Sequence, residues 1–234
     1  VAVSYTVSPR NAALTALSVW NTSEPRSDVP AGPPIAVASP LATVTGDASV
    51  RLDWPGIFSD NGRQITGYRA AAYTGAAPTC AVDGTVTANG AIVLDAGTGT
   101  SAQFSGLQAN ASYSLVVFAR NGQGCTASLS VIARTAPGIV TAIDAGKGPV
   151  AHGDVFDFQL LGGSIGPEPL TSDYSIIYRL IGPGVPATES GRVPLGSFLD
   201  TDGQQYGQNV SVQVRACRIW DSVPLCQSSW SASF

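Results

Sequence analysis

The four cysteines are the residues whose chemistry the sequence predicts most directly: Cys80, Cys125, Cys217 and Cys226. The chain has no Cys-x-x-Cys motif and a single histidine, so the close Cys and His spacing of a zinc site is absent. An even number of cysteines favours two disulfides formed in an oxidising compartment. Cys217 and Cys226 flank a predicted hairpin, and neighbouring strands have the short Cα separation that a bridge needs. Cys80–Cys125 is the second predicted bridge, and a bond between modules is its main alternative.

Groups suited to catalysis are sparse in this sequence. His152, the one histidine, lies in a predicted loop, where we expect it to be solvated. No Gly-x-Ser-x-Gly nucleophile motif occurs. Paired carboxylates hydrolyse glycosides and bind calcium, but here most lie in Gly- or Asn-rich turns, where Asp caps backbone amides. These carboxylates are Asp53, Asp60, Asp83, Asp95, Glu168, Asp200 and Asp202. We therefore expect a protein that is not an enzyme and has no catalytic, cofactor-binding or metal-binding residues.

Tryptophan side chains are the stronger candidates for recognition. Trp220, with Ile219 and Leu225, is predicted to lie at the tip of the hairpin that Cys217–Cys226 would clamp. A rigid tip that presents apolar side chains binds at low entropic cost. The alternative is that Trp220 folds back on its own module.

Composition excludes several classes of partner. The chain of 234 residues is 44% hydrophobic and only 12% charged, with a net charge of -4. Without a basic patch, nucleic-acid binding is not expected. No apolar run approaches the roughly 20 residues that span a bilayer. The abundance of Ala, Gly, Thr and Ser, with Arg in place of Lys, is typical of GC-rich bacterial genomes.

Two kinds of short motif invite a functional interpretation. Asn61-Gly62-Arg63 matches an adhesive tripeptide, but Asn-Gly tolerates positive φ and also predicts a tight turn. Asn110-Ala111-Ser112 is one of three formal N-glycosylation sequences, the others beginning at Asn21 and Asn209. In a bacterial protein we expect these to carry no function.

Proline and glycine divide the chain into segments. Pro30 to Pro34 and Thr135 to Gly138 are predicted linkers, since Pro-rich stretches stay extended and do not join a central strand. They separate segments 1–29, 30–136 and 137–234, and the last two each approach the ~100 residues of one immunoglobulin-like sandwich. Short alternating runs between turns, without a long 3.6-residue period, predict an all-β fold.

The residues after Gly106 indicate the architecture of the middle segment most clearly. From Tyr113 to Arg120 the side chains alternate between two faces. Tyr113, Leu115, Val117 and Ala119 lie on one face, which predicts a strand with that face on a core. Leu107, six residues before Tyr113, completes the pattern of a tyrosine corner in a β-sandwich. Further strands are predicted at Ile35 to Val37, Val50 to Trp54, from Ile65, at Ser101 to Phe104 and at Ser128 to Ala133.

Three motifs of this segment resemble a fibronectin type III module, in that family's order and spacing over 31–136. They are Val50-x-Leu52-x-Trp54, Asp60-Asn61-Gly62-x-x-Ile65-Thr66-Gly67-Tyr68, and Leu107 with Tyr113-x-Leu115-x-Val117-x-Ala119-x-Asn121. The resemblance implies tandem immunoglobulin-like β-sandwiches, and the composition matches a bacterial surface protein of actinobacterial type.

The last segment, 137–234, looks like a divergent copy of the same module. Alternating runs beginning at Phe156, Tyr174 and Val210 match the second, third and sixth strands. Val210 takes the place of the corner tyrosine, and Leu160 takes the place of the core tryptophan.

Residues 1–29 are expected to be the C-terminal hairpin of a truncated preceding module. Val3 to Asn11 resembles a sixth strand and Leu14 to Val19 a seventh. Because a lone hairpin is only marginally stable, we expect it to pack on the neighbouring module or to mediate self-association with another copy.

The resemblance implies a non-enzymatic extracellular or cell-surface array whose modules act as spacers and as protein–protein or adhesion scaffolds. The expected partner is a protein or a cell-surface glycan. Low charge and two disulfides suit an extracytoplasmic location. The alternative is a set of accessory, carbohydrate-binding modules of a secreted polysaccharide-degrading enzyme, in which exposed aromatic side chains would stack on sugars.

Overall fold

The computed structural model describes residues 3–5, 26–28, 31–57, 60–141, 143–149, 154–160, 165, 172–182, 189–194, 198–200 and 211–233. Regular secondary structure in these residues is β-strand throughout, in antiparallel sheets, which confirms the all-β prediction. The first strands, β1 (Val3–Tyr5) and β2 (Arg26–Asp28), pair with each other. The strand predicted at Leu14 to Val19 lies outside the described residues.

The first unit comprises β3 (Leu41–Gly46), β4 (Ser49–Asp53), β5 (Ile65–Tyr73), β6 (Thr79–Cys80), β7 (Val86–Thr87), β8 (Ile92–Gly97), β9 (Ser101–Phe104), β10 (Ser112–Asn121), β11 (Gly124–Ala127) and β12 (Val131–Arg134). One sheet has the order β3-β4-β9, and the other has the order β11-β10-β5-β8 with β12 also paired to β10. The strands β6 and β7 form a separate hairpin inserted between β5 and β8. The two larger sheets share one hydrophobic core.

The core of the first unit is filled from both sheets by alternate residues. Val50, Leu52 and Trp54 enter it from β4 and the residue that follows, and none of them is more than 5% exposed. The alternate residues of β10 from Tyr113 to Ala119 enter it from the other sheet. The predicted alternation is therefore confirmed for both strands.

The predicted tyrosine corner is present in the first unit. The hydroxyl oxygen of Tyr113 accepts a hydrogen bond from the backbone N–H of Gln108 at 2.9 Å. Leu107, next to Gln108, is buried in the core. This bond ties the loop between β9 and β10 to the strand that follows it.

Both faces of β10 are buried, although the alternation predicted burial of one face only. Val116 and Phe118 are 6% and 1% exposed, and Cys80 and Val86 of the inserted hairpin pack against their cluster. The Cys80–Cys125 disulfide, with Cα atoms 6.1 Å apart, links the inserted hairpin to β11. This bridge therefore holds an apolar cover on the outer sheet face.

One predicted strand in the first unit is wrong. Ile35 to Val37 forms no strand, and the first strand of the unit begins at Leu41 instead. Pro34 and Pro40 flank the segment, and proline has no N–H to donate to a sheet. Val37 is nevertheless buried in the core, so its hydrophobicity reflects packing without strand pairing.

The second unit comprises β13 (Ile143–Pro149), β14 (Asp154–Leu160), β15 (Tyr174–Ile181), β16 (Val193–Pro194), β17 (Phe198–Asp200), β18 (Ser211–Trp220) and β19 (Val223–Cys226). Its sheets have the orders β13-β14-β17 and β16-β15-β18-β19. This repeats the strand order of the first unit, although the described residues include no counterpart of β12. Strands are confirmed where the runs from Phe156 and Tyr174 predicted them, while Val210 lies outside the described residues.

Candidate functional site

The two units meet at the tip of the β18–β19 hairpin. Trp220 pairs with Val223 at its end, and the two-residue turn Asp221-Ser222 has φ values of 48° and 70°. Positive φ at both positions matches the twist of a tight hairpin. Cys217 and Cys226 lie opposite each other at the base and are disulfide-bonded, with Cα atoms 3.9 Å apart. The tight turn and the disulfide therefore make the hairpin tip short and rigid.

Trp220 faces the first unit. The guanidinium carbon of Arg218 lies 3.7 Å from its ring centroid, and that of Arg134 in the first unit lies 5.2 Å away. Arg134 also forms an ion pair with Asp221, at 2.5 Å. The indole Nε1 of Trp220 is buried and has no hydrogen-bond partner among the described residues. The predicted tip residue is thus part of the contact between the units.

The other two residues of the predicted tip have different surroundings. Ile219 is half-buried, and its backbone N–H donates to the carbonyl oxygen of Asp173 at 2.8 Å. Leu225 is half-buried and lines a groove beside the first unit. The three side chains therefore do not form one exposed patch.

Arg218 is the centre of the polar contacts at this junction. Its Nε donates to Asp173 Oδ2 at 2.7 Å, and its Nη1 donates to Asn110 Oδ1 of the first unit at 2.9 Å. Asn110 Nδ2 in turn donates to the hydroxyl of Tyr174 at 2.5 Å. The guanidinium also lies 5.0 Å from the Tyr174 ring centroid. One arginine thus joins an amide, a carboxylate and two aromatic rings.

Asn110 is the first residue of one of the formal glycosylation sequences. It is 9% exposed, and both polar atoms of its side-chain amide are hydrogen-bonded across the junction. A glycan attached at Nδ2 has no room without separating the units. The sequence motif is therefore used here for packing.

A second polar contact joins the units at the turn between β3 and β4. The backbone N–H of Ser228 donates to Asp47 Oδ1 at 2.8 Å, and its hydroxyl donates to Asp47 Oδ2 at 2.6 Å. The backbone N–H of Ala136, at the end of the first unit, donates to the carbonyl oxygen of Asp47 at 3.1 Å. Asp47 therefore fixes both the chain that leaves the first unit and the last segment of the second.

An apolar groove of about 330 Å³ lies beside Trp220. It is walled by both units, and Arg134 and Asp221 lie at its edge. Its apolar lining comes from Ala42, Val44, Ile132, Ala133, Trp220, Val223 and Leu225.

The tip of the corresponding hairpin in the first unit binds the linker that precedes β3. β10 and β18 each have ten residues, so Asn121 and Trp220 hold equivalent positions at their ends. Asn121 Nδ2 donates to the carbonyl oxygens of Gly32 and Asp60 at 2.8 and 3.0 Å. Asn61 and Gly62, with φ of 56° and 84°, form the predicted turn at this end. The first tip thus holds the linker at Gly32 and the turn between β4 and β5, whereas the second packs against the preceding unit.

Trp230 packs against two arginines of its own unit. The guanidinium carbons of Arg179 and Arg215 lie 4.5 and 4.6 Å from its ring centroid, and it is half-buried. Such stacking over an indole is a favourable cation–π arrangement.

Two of the candidate carboxylates, Asp83 and Asp95, accept hydrogen bonds from backbone N–H groups. The backbone N–H of Thr85 lowers the pKa of Asp83, and the backbone N–H of Gly97 lowers the pKa of Asp95. The Asp83 contact lies in a turn, as the sequence predicted, whereas Asp95 and Gly97 both lie in β8, where its register with β5 shifts. Within the described residues there is no group of three His, Cys, Asp or Glu side chains that could bind a metal ion.

Several candidate site residues named from the sequence are not described by the structure. His152, Glu168 and Asp202 lie outside the described residues, and Asp200 is described only as the end of β17. Among the residues that the structure describes, we find no helical segment with the length and hydrophobicity of a membrane span.

Comparison with known proteins adds no relative: no model of a known protein family matches the chain, and no curated protein matches it. No role at the junction was predicted from the sequence for Asp47, Asn110, Arg134 or Arg218. One signal for Arg218 was available, because it follows Val214 and Ala216 on the inward side of β18. A charged residue at an inward position near a strand end indicates a partner beyond the sheet.

Proposed function

We propose that this chain is a non-enzymatic extracytoplasmic protein whose fibronectin type III-like modules, 30–136 and 137–234, form a stiff tandem spacer and binding scaffold. The observation that carries the proposal is the junction: two separate sets of polar contacts, centred on Arg218 and on Asp47, bridge the units. Domains that move freely have small and weakly bonded interfaces. Contacts at two separated points oppose both bending and rotation about the linker.

The repeated arrangement of the hairpin tips supports an array. Asn121 binds the linker at Gly32, and Trp220 packs against the preceding unit. The two disulfides are compatible with an oxidising, extracytoplasmic compartment. In such an array the orientation of one unit fixes the orientation of the next, and the surfaces outside the junctions remain available to a partner.

Small-angle X-ray scattering of the whole chain tests the stiffness. We expect one conformation to fit the scattering curve of the natural sequence at low and at high salt. We expect Asp47→Ala to require an ensemble of inter-unit angles, because it removes both hydrogen bonds to Ser228. Asp53→Ala is the matched control, since it breaks an exposed ion pair within the first unit. An ensemble already needed for the natural sequence contradicts the spacer role.

A glycan array separates the spacer role from that of a carbohydrate-binding accessory module. Trp54 is in the core, and Trp220 and Trp230 are half-buried beside arginines. We therefore expect no binding to polysaccharides that depends on these rings. Glycan binding that is lost in Trp220→Ala would favour the accessory-module function instead.

A further inference from the structure

The inserted β6–β7 hairpin is joined to the rest of the first unit by one covalent bond and by apolar contacts. Its two strands pair at only two positions, one of which places Cys80 opposite Val86. Among the described residues, the hydrogen bonds that 79–90 make with nitrogen or oxygen donors all end within 77–91. The disulfide from Cys80 to Cys125 of β11 is therefore the main link between the hairpin and the sheet that it covers.

The surface beneath the hairpin is an apolar face of the β11-β10-β5-β8 sheet. Ala71, Val116 and Phe118 are at most 6% exposed there, and Cys80 and Val86 of the hairpin pack against their cluster. A two-stranded hairpin is only marginally stable by itself. Without its disulfide the cover would be held by these apolar contacts alone, and its departure would expose the buried face.

The two disulfides of the chain differ in what their reduction would release. Cys217 and Cys226 face each other in the β18–β19 ladder, so backbone pairing would keep their thiols together after reduction. Cys80 and Cys125 are separated by 45 residues and lie on strands that do not pair with each other in the described residues. Once the hairpin moves away, its thiol has a low effective concentration at Cys125, and the bond reforms less readily.

Cys80 and Cys125 are also within reach of a dissolved thiol. Both are half-buried, and the residues that follow Cys80, Ala81 and Val82, are exposed. Cys217 is 0% exposed, so at least one sulfur of the second bridge is shielded. Exchange requires the attacking thiolate to reach a sulfur, and access therefore favours the same bridge as the geometry does.

We propose that Cys80–Cys125 is a thiol–disulfide exchange site for a dithiol reductant, and that its reduction opens the β6–β7 hairpin. One thiolate of the reductant attacks a sulfur of the pair, the S–S bond breaks, and the other cysteine leaves as a thiolate that takes up a proton. The second thiol of the reductant then loses its proton and attacks the mixed disulfide, which releases a cyclic disulfide. Two electrons and two protons thus pass to Cys80 and Cys125, and reoxidation closes the cover.

This exchange site is independent of the spacer role. The polar contacts between the units are centred on Arg218 and on Asp47, and they involve neither the hairpin nor Cys125. Opening the hairpin therefore leaves the junction intact, and the failure of either proposal leaves the other standing.

Graded reduction of the whole natural chain with dithiothreitol tests the selectivity. Free thiols are trapped by alkylation at each concentration and assigned by mass spectrometry of peptides. We expect Cys80 and Cys125 to be trapped at a concentration at least about tenfold below the one that frees Cys217 and Cys226. Simultaneous reduction of both pairs, or earlier reduction of Cys217–Cys226, would overturn the proposal.

Limited proteolysis and a hydrophobic dye test the opening in the selectively reduced chain. We expect cleavage within 81–90 to accelerate and dye fluorescence to rise several-fold, because Val116 and Phe118 become exposed. Far-UV circular dichroism should keep its native spectrum, and reoxidation should reverse both changes. A reduced chain that is cut no faster and binds no more dye, or one that loses its sheet signal altogether, contradicts a reversible cover.

Paired serine variants assign the response to one bridge. The matched control, Cys217→Ser with Cys226→Ser, should still respond to dithiothreitol as the natural sequence does. Cys80→Ser with Cys125→Ser should bind the dye without reductant and show no further change when it is added. A response that persists in this second variant would place the opening elsewhere and overturn the assignment. If a variant does not fold, the reduction of the natural chain decides, because it needs no substitution.

Discussion

Replacing Arg218 by alanine perturbs the junction at its centre. The side chain is 20% exposed and donates to Asp173 and to Asn110, the second of these 108 residues away in the sequence. The substitution leaves the Oδ1 of the buried Asn110 without this donor and removes the cation that stacks on Trp220. We therefore expect it to destabilise the contact between the units as well as the second unit itself.

The expected magnitude follows from the groups involved. A hydrogen bond to a charged group contributes about 1.5–3 kcal/mol, and a partly desolvated cation–π contact contributes about 1–2 kcal/mol. Because the energies of neighbouring contacts are not additive and water can enter the space left behind, we expect a net loss of about 2–4 kcal/mol in the free energy of unfolding. Arg218→Lys should recover only part of it, since an ammonium group does not reproduce the planar fork of arginine.

Urea unfolding followed by tryptophan fluorescence and by far-UV circular dichroism measures this loss. The matched control is Arg51→Ala, which breaks an ion pair whose side chains are 53% and 39% exposed. Exposed ion pairs contribute little because solvent screens them, so the control should unfold almost like the natural sequence. If Arg218→Ala and Arg51→Ala lose the same small amount, the junction is not held in the way described.

Three further predictions concern the units themselves. Tyr113→Phe should cost about 1–2 kcal/mol of unfolding free energy by urea titration, because the backbone N–H of Gln108 loses its acceptor; no change would show that water replaces the hydroxyl. Replacing Cys80 and Cys125 together by serine should lower the melting temperature and speed amide exchange on the outer face of β10, and unchanged exchange would mean that the inserted hairpin stays in place without its bridge. Asp95 has a lowered pKa in the fold, so the stability it contributes is present above its ordinary value of 3.8 and is lost as the pH falls below it. Asp95→Asn should therefore flatten the acid limb of stability against pH in urea titrations, and an unchanged limb would show that this carboxylate has no part in it.

Much of the first unit could be predicted from local sequence because its signals are local. The alternation in β10, the Leu107–Tyr113 spacing and the Asn61-Gly62 turn each depend on residues within a few positions of one another. They correspond to burial in the core, a 2.9 Å hydrogen bond from Gln108, and positive φ at both turn residues.

The parts that the sequence did not predict depend on contacts between distant segments. The inserted β6–β7 hairpin covers the outer face of β10, where the apolar Val116 and Phe118 indicate burial but do not indicate which segment covers them. The junction joins Asn110 to Arg218 and Asp47 to Ser228, pairs that only the relative placement of the units brings together. Trp220 was predicted at a hairpin tip, but what faces that tip depends on the preceding unit.

The central claim, that the junction locks two like units together, is tested most directly by ¹⁵N relaxation and residual dipolar couplings of the whole chain. Amides of β4, β5, β9 and β10 in the first unit and of β15 and β18 in the second report on each unit separately. We predict that a single alignment tensor and a single rotational diffusion tensor fit both sets. Two distinct tensors, with the smaller unit tumbling faster, would show that the units move independently and would contradict the account.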